Sequence, residues 1–319
     1  MTRIRVRVSA SLVALAALLL GVAPSAADAA TQIGTVRYAR LPACSGTKCD
    51  PWELTMRDGR VVRLTGARAD RDLSFMMVSA DGRHLVYNRR SDRRVVVHDL
   101  ADGRIHPTPL YDVSESGVHL SADGRLMVIT DGGPTVDSLT DLATGKTYDL
   151  IHVGKTRTVR RHLYEEFASF SPDGRYLLVS SDLVDGTEYT VLDARGREVV
   201  RRQVRAEHDG LFATLAGDHT TIALAYTSRG RAGVRLYHLR TGRVTTVPVK
   251  LPKDVGIDGL TWARGGGLVF RTGLYDKNGY DPRHVRDYGL DPETGQIRLL
   301  RSLKRPAGTL EWVLPDLGD

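Results

Sequence analysis

"FSPDGRYLLVS" (Phe170–Ser180) sets a tight Asp-Gly turn between two short apolar stretches. Nearly the same phrase occurs at "MVSADGRHLVY" (Met77–Tyr87) and at "HLSADGRLMVI" (His119–Ile129). Degraded copies follow at "LAGDHTTIALAY", with Asp218, and at "WARGGGLVFRT", with Gly266. A second signal alternates with the first: "HDLADGRIH", "TDLATGKTY", "LDARGREVV", "HLRTGRVTT" and "LDPETGQIR", with an early copy, "LTMRDGRVVRL", around Gly59. Within each class the glycines recur every 42 to 53 residues.

Each signal reads as a hairpin turn. An Asp side chain accepts hydrogen bonds from nearby amides, Gly takes the positive φ at no steric cost, and Pro172 presets φ in its turn. The flanks are rich in Val, Leu, Ile, Thr and Tyr and often alternate, as in "RVVVHDL" and "GVRLYHL". No stretch beyond the first thirty residues keeps helical periodicity over twelve residues. Two hairpins per repeat make a four-stranded antiparallel unit, and such units at this period predict an all-β fold, a β-propeller.

Counting sets the blade number at six. Five complete units begin near Leu73, Gly117, Phe167, Gly210 and Asp258. Three strands precede them, roughly 33–41, 52–56 and 61–64, and "GTLEWVLP" (Gly308–Pro315) follows. Three strands plus one complete a sixth blade shared by the chain ends (33–64 with 308–315). That closure removes the free edges that invite aggregation.

Phrases such as "FSPDGRYLLVSS", followed by a strand ending in "LD" or "DL", resemble the repeat of TolB-like six-bladed propellers. The resemblance covers most of the chain at the level of fold, since the phrase encodes turns. No α/β domain is expected between the N-terminal leader and the first strand, so roles in outer-membrane translocation do not carry over. The Trp-Asp ending and Gly-His dipeptide of WD-repeat blades are absent, which leaves the chain only WD-repeat-like.

The N-terminus reads as a cleaved signal peptide, residues 1–29. Arg3, Arg5 and Arg7 precede a small apolar run near 8–22, and Ala27-Asp28-Ala29 gives the small-x-small cleavage pattern. The run is shorter than the roughly 20 residues that span a bilayer. A secreted or extracytoplasmic single domain, 30–319, is the expectation, with no membrane span after cleavage. Cys44 and Cys49, the two cysteines, should then oxidise to a small disulfide loop.

Cleavage takes three of the 45 Lys and Arg and one of the 38 Asp and Glu, leaving a net charge of +5. That excess is too mild for a nucleic-acid footprint. No G-x-S-x-G, H-E-x-x-H, phosphate loop or dinucleotide fingerprint is present. The ten histidines are scattered, and His98 and His238 take matching places at the ends of third strands. "HLYEEF" (His162, Glu165, Glu166) reads as a polar loop rather than a metal site. Asp276, Asn278 and Asp281 near Gly279 lack the ordered ligand spacing of a calcium loop. No cofactor is expected.

Arginine distribution is more informative. In such a blade the first and third turns lie on one face of the ring, and the other connections lie on the opposite face. All the Asp-Gly-Arg turns fall on the first. The second face is assigned the long loops and the basic runs, including "RRSDRR" (89–94), "GKTRTVRRHLYEE" (154–166) and "RRQVRAEHD" (201–209). Long loops on one face point to binding there. Arg89, Arg90, Arg93, Arg94, Arg157, Arg160, Arg161, Arg201, Arg202 and Arg205 are the candidate binding residues. The expected function is a monomeric, non-catalytic module for a protein, peptide or anionic envelope polymer. A propeller enzyme (lyase, hydrolase or quinone-dependent dehydrogenase) with its site at the channel mouth, and a structural or assembly module, remain open alternatives.

Overall fold

A computed structural model describes residues 34–319, apart from 47–48, 72–73, 112–117, 131–135, 151–164, 229–230, 252–255, 276–281, 316 and 318–319. The leader, Arg157, Arg160, Arg161, His162 and the 276–281 loop therefore lie outside the described residues.

Twenty-four strands form six four-stranded antiparallel sheets. The first blade takes β1 (Val36–Pro42), β2 (Trp52–Met56) and β3 (Val61–Leu64). The second holds β4 (Met76–Val78), β5 (His84–Asn88), β6 (Arg94–Asp99) and β7 (Ile105–Tyr111), and the third β8 (Val118–Leu120), β9 (Leu126–Thr130), β10 (Val136–Asp141) and β11 (Lys146–Asp149). The fourth holds β12 (Glu165–Phe170), β13 (Tyr176–Leu183), β14 (Gly186–Asp193) and β15 (Glu198–Arg205). In the fifth are β16 (Phe212–Leu215), β17 (Thr221–Ser228), β18 (Arg231–His238) and β19 (Val244–Val249). The sixth holds β20 (Gly259–Trp262), β21 (Leu268–Tyr275), β22 (Pro282–Leu290) and β23 (Ile297–Lys304). Finally β24 (Thr309–Val313) returns to the first blade, in the order β24-β1-β2-β3. Its register, Ala39 opposite Val313 and Arg40 opposite Trp312, makes it the innermost strand. The ring is a six-bladed β-propeller closed by both chain ends. No helix among the described residues is long and apolar enough to cross a membrane.

The repeated phrase is a repeated hydrogen-bond pattern. Ser79 Oγ donates to Asp81 Oδ1 (2.6 Å), Asp81 accepts from the Arg83 amide (2.9 Å), and the His84 amide donates back to Ser79 Oγ (2.9 Å). Ser121 with Asp123, and Ser171 with Asp173, repeat it. The turn needs a left-handed residue, supplied by Gly174 at φ 66° and, in the degraded copy, by His219 at φ 57°. In the second signal an Asp carboxylate caps the turn, as Asp99 and Asp193 do for the amides of Ala101 and Arg195. His238 takes that capping place through Nδ1, toward the Thr241 amide. It therefore corresponds to Asp99, opposite the first residue of its neighbour strand, and not to His98.

Apolar clusters fill five of the six seams between blades. Between the first and second blades, for example, Trp52, Leu54, Leu85 and Val96 are fully buried together. Phe270, Leu268 and Leu290 pack the sixth blade against the fifth.

Cys44 and Cys49 are disulfide-bonded, with Cα atoms 4.1 Å apart, in the connection between β1 and β2. Closing so short a loop stabilises by about 2 kcal/mol on a chain-entropy basis. The double substitution to Ser should lower denaturant-derived stability by about that amount and leave the ring folded. A loss above about 5 kcal/mol would show that the loop organises the first blade, since native disulfides seldom exceed that value.

Candidate functional site

The innermost strands surround a cavity of about 640 Å³ on the propeller axis. Its lining runs from the turns between the first and second strands, with Ala80, Ala122 and Pro172, to the opposite face that carries the connections between successive blades, with Asp209 and Asp258; the latter end is the mouth. Glu166, Asp182, Tyr189, Asp209, Asp258 and Arg271 line it.

Glu166, Asp182, Asp209 and Asp258 are delivered by where a strand begins or ends, and Tyr189 and Arg271 come from mid-strand. Asp209 and Asp258 stand at the entrances to β16 and β20, each within an Asp-Gly-Leu phrase. Asp209 accepts hydrogen bonds from the Tyr189 hydroxyl (2.9 Å), the Thr187 hydroxyl and the Gly210 amide (2.8 Å). Burial, with Asp209 beside it, holds the Tyr189 hydroxyl well above the ordinary phenol range. Burial also raises the Asp258 carboxyl, against hydrogen bonds from the Tyr275 hydroxyl and the Gly273 amide. Tyr275 is in turn pushed up to about 12, by burial first and by Asp258 second. Glu166 and Asp182 are exposed and have no ion-pair partner among the described residues. Arg271 is engaged by Asp287, Nε to Oδ1 at 2.9 Å. The described mouth is therefore acidic.

Apolar side chains border it. Leu211 and Phe212 line the cavity and are exposed, Leu211 by 72%. On the same face stand Val184, 78% exposed in the turn after β13, and Leu274 with Tyr275 at the end of β21. Exposed large apolar groups gathered at a concave mouth mark interaction surface.

Deeper in the cavity His119 stacks on Phe167, with centroids 4.4 Å apart. Burial lowers its pKa to about 4. A folded pKa below the unfolded value gives stability that is full above about pH 6.5 and is lost as pH falls toward 4. His119→Phe keeps a ring to stack and removes the titration. Its stability should fall less steeply than the parent's between pH 6.5 and 4, read from urea midpoints. Superimposable profiles would show that burial does not lower the His119 pKa, the imidazole titrating alike in the folded and unfolded chain.

Among the described residues, none of the predicted arginines lines this cavity. Arg89 pairs with Asp92 in the turn after β5, Nε to Oδ1 at 2.9 Å, and that contact draws the Asp92 carboxyl down to about 2. Arg94 lies over the Tyr111 ring, 5.0 Å from its centroid, and Arg90 and Arg93 are exposed. Arg201, Arg202 and Arg205 belong to β15 and not to a loop. Arg201 pairs with Glu198 (2.7 Å) and Glu188 (3.5 Å), and its side chain is only 16% exposed. Arg202 donates to the Arg240 carbonyl (3.4 Å), which belongs to a turn on the opposite face. Arg205 is exposed, 3.8 Å from Glu207. An outermost strand pairs along one edge, and of "RRQVR" only Val204 enters the core, so the phrase lacks the alternation that announces a strand.

No family model matches the chain, and no curated protein matches it. Solved structures do. TolB from Acinetobacter baumannii is 18% identical over 88% of this chain and 67% of its own, with a TM-score of 0.49. A putative TolB from Agrobacterium tumefaciens is 19% identical over 85% of this chain and 91% of its own, at 0.51. The chain has the TolB-like propeller fold. A chain of the nidogen/laminin complex is 11% identical over 88% of this chain and 99% of its own, at 0.48. At these identities the likeness describes the fold alone.

Proposed function

We propose that the protein is an extracytoplasmic, non-catalytic binding propeller that docks a polypeptide partner over the cavity mouth. The observation that carries this is the exposed apolar pair Leu211 and Phe212 in the lining of a concave site that also holds the carboxylates of Glu166 and Asp182, with Val184 and Leu274 exposed on the same face. A solvated surface has no physical reason to gather large apolar groups at one mouth. Interface anchors are aromatic and aliphatic groups set beside polar rims. The signal-like leader and the Cys44–Cys49 disulfide support a place outside the cytoplasm.

The anionic-polymer reading keeps some support from Arg90, Arg93 and Arg205, which are exposed on the same side of the ring. The two readings separate experimentally. Purified mature protein is tested against envelope fractions at rising salt, with the pairs Leu211→Ser/Phe212→Ser and Arg90→Ser/Arg93→Ser. A polypeptide partner should be retained at high salt and lost with the first pair. Screened attraction to a polyanion would fade with salt and be lost with the second pair. Retention unaffected by either pair contradicts both readings.

A further inference from the structure

At the seam between the sixth and first blades a ladder of charges lies beside the buried Val269, Val285 and Leu303. On β21, β22 and β23, Arg271, Asp287 and Arg301 are direct cross-strand partners, so their side chains share one face of the blade. The opposite face, with Phe270 and Tyr288, packs on the fifth blade. The arginine face therefore looks toward the first blade. Arg271 Nη2 donates to the Pro315 carbonyl (3.0 Å), beyond β24.

The first blade answers with a second ladder. Ala39, Leu41 and Val313 pack toward the second blade. By strand alternation the neighbours Arg40 and Trp312, paired across β1 and β24, point the other way. Arg40 is also opposite Glu53, and Glu53 is opposite Arg63. Arg40 Nε donates to Glu53 Oε2 (2.8 Å), and Arg63 lies 3.7 Å from Oε1. An Arg-Asp-Arg row thus faces an Arg-Glu-Arg row, four guanidiniums to two carboxylates. Arg57 of the first blade lies near enough for Arg301 to feel its charge.

Asp287 is 97% buried and takes Arg301 Nε at 2.7 Å as well as Arg271. Burial lowers the Arg301 guanidinium below the ordinary range despite Asp287, and Arg271 and Arg57 add to that pressure. Beside the rows, the Trp312 indole Nε1 is buried and has no hydrogen-bond partner. An unmet buried donor and a surplus of guanidiniums ask for the same thing, an acceptor with negative charge.

We infer that this seam binds a small anion carrying a phosphate or carboxylate group, held by Arg271, Arg301 and the Trp312 indole. Planar guanidiniums pair two-pronged with either group, and the bound charge offsets the surplus at this seam. Arg271 also lines the axial cavity, whereas Arg301 and Trp312 do not, and the inference does not depend on the reading of the cavity mouth.

Thermal unfolding of the mature protein, at fixed ionic strength, is followed while inorganic phosphate or succinate replaces chloride. Tryptophan emission is recorded in parallel. The site requires a saturable rise in Tm of several degrees and a saturable emission change with at least one of the two anions. The more effective anion identifies the group preferred. Arg301→Gln, which leaves the Arg271–Asp287 pair in place, should lose the rise, and Trp312→Phe should lose the emission change. Arg83→Gln, on a turn far from the seam, should respond as the parent does. No saturable response to either anion overturns the inference, as does an unaltered response in folded Arg301→Gln protein.

Discussion

Deletion of residues 308–319 should abolish folding to a closed ring and yield aggregated protein. The strand removed, β24, is the only covalent input to the first blade from the C-terminal end of the chain. Without it β1 loses its backbone partner from Ala39 to Pro42 and becomes a free edge, a template for pairing with other chains. Leu310 and Val313 also leave the apolar cluster of the first two blades. The Ser74 hydroxyl loses its acceptor, Glu311. Fully burying side chains of this size is worth roughly 1.5–3 kcal/mol each, and these are half-buried, so their loss alone does not decide the outcome. The open ring does, because the first and sixth blades then have no shared strand. Size-exclusion chromatography and calorimetry check it. A monomer with the parent's Tm contradicts the closure.

Asp287→Ala should be the most damaging single substitution at the closing seam. Removing one partner of a buried charge pair leaves the others uncompensated, which costs about 3 kcal/mol or more. Here Arg271 and Arg301 would both lose their carboxylate, beside Arg57. For a chain of this size that corresponds to a Tm lower by roughly 5 °C or more. The exposed Asp102→Ala, which removes a turn cap at the Arg104 amide, should cost far less. Equal effects of the two would show that the seam's charges are solvated and contribute nothing to closure.

Turn chemistry made the fold legible. Ser79-x-Asp81-Gly82 and its copies encode their own hydrogen bonds, so counting them counts hairpins, and the leftover strands at the two ends name the closing blade. The Cys44–Cys49 pair was legible for the same local reason. The site was not. Asp182 and Tyr189 come to the mouth from β13 and β14, and Asp209 and Asp258 from the starts of two different blades. That convergence is a property of the ring, not of any short stretch. One signal was present: the Asp-Gly-Leu phrase at 209–211 and again at 258–260, each leading into an innermost strand. Arginine abundance pulled attention elsewhere, because sequence shows where positive charges lie and not which carboxylates lie opposite them. Arg201, with Glu188 across the sheet, and Arg271, with Asp287, are paired only in three dimensions.

The claim that a polypeptide docks at the cavity mouth is tested most directly by crosslinking inside the producing cell. A photoreactive phenylalanine replaces Phe212 at the mouth in one variant and Asp102, on the turn face, in another. Phe212 is 37% exposed, so a side chain there already meets solvent. Illumination should join the residue-212 variant to one or a few defined polypeptides, and adding Asp182→Asn to it should weaken the product. The residue-102 variant should give none of them. The same products from both positions, or none from residue 212 in correctly exported protein, would contradict the account.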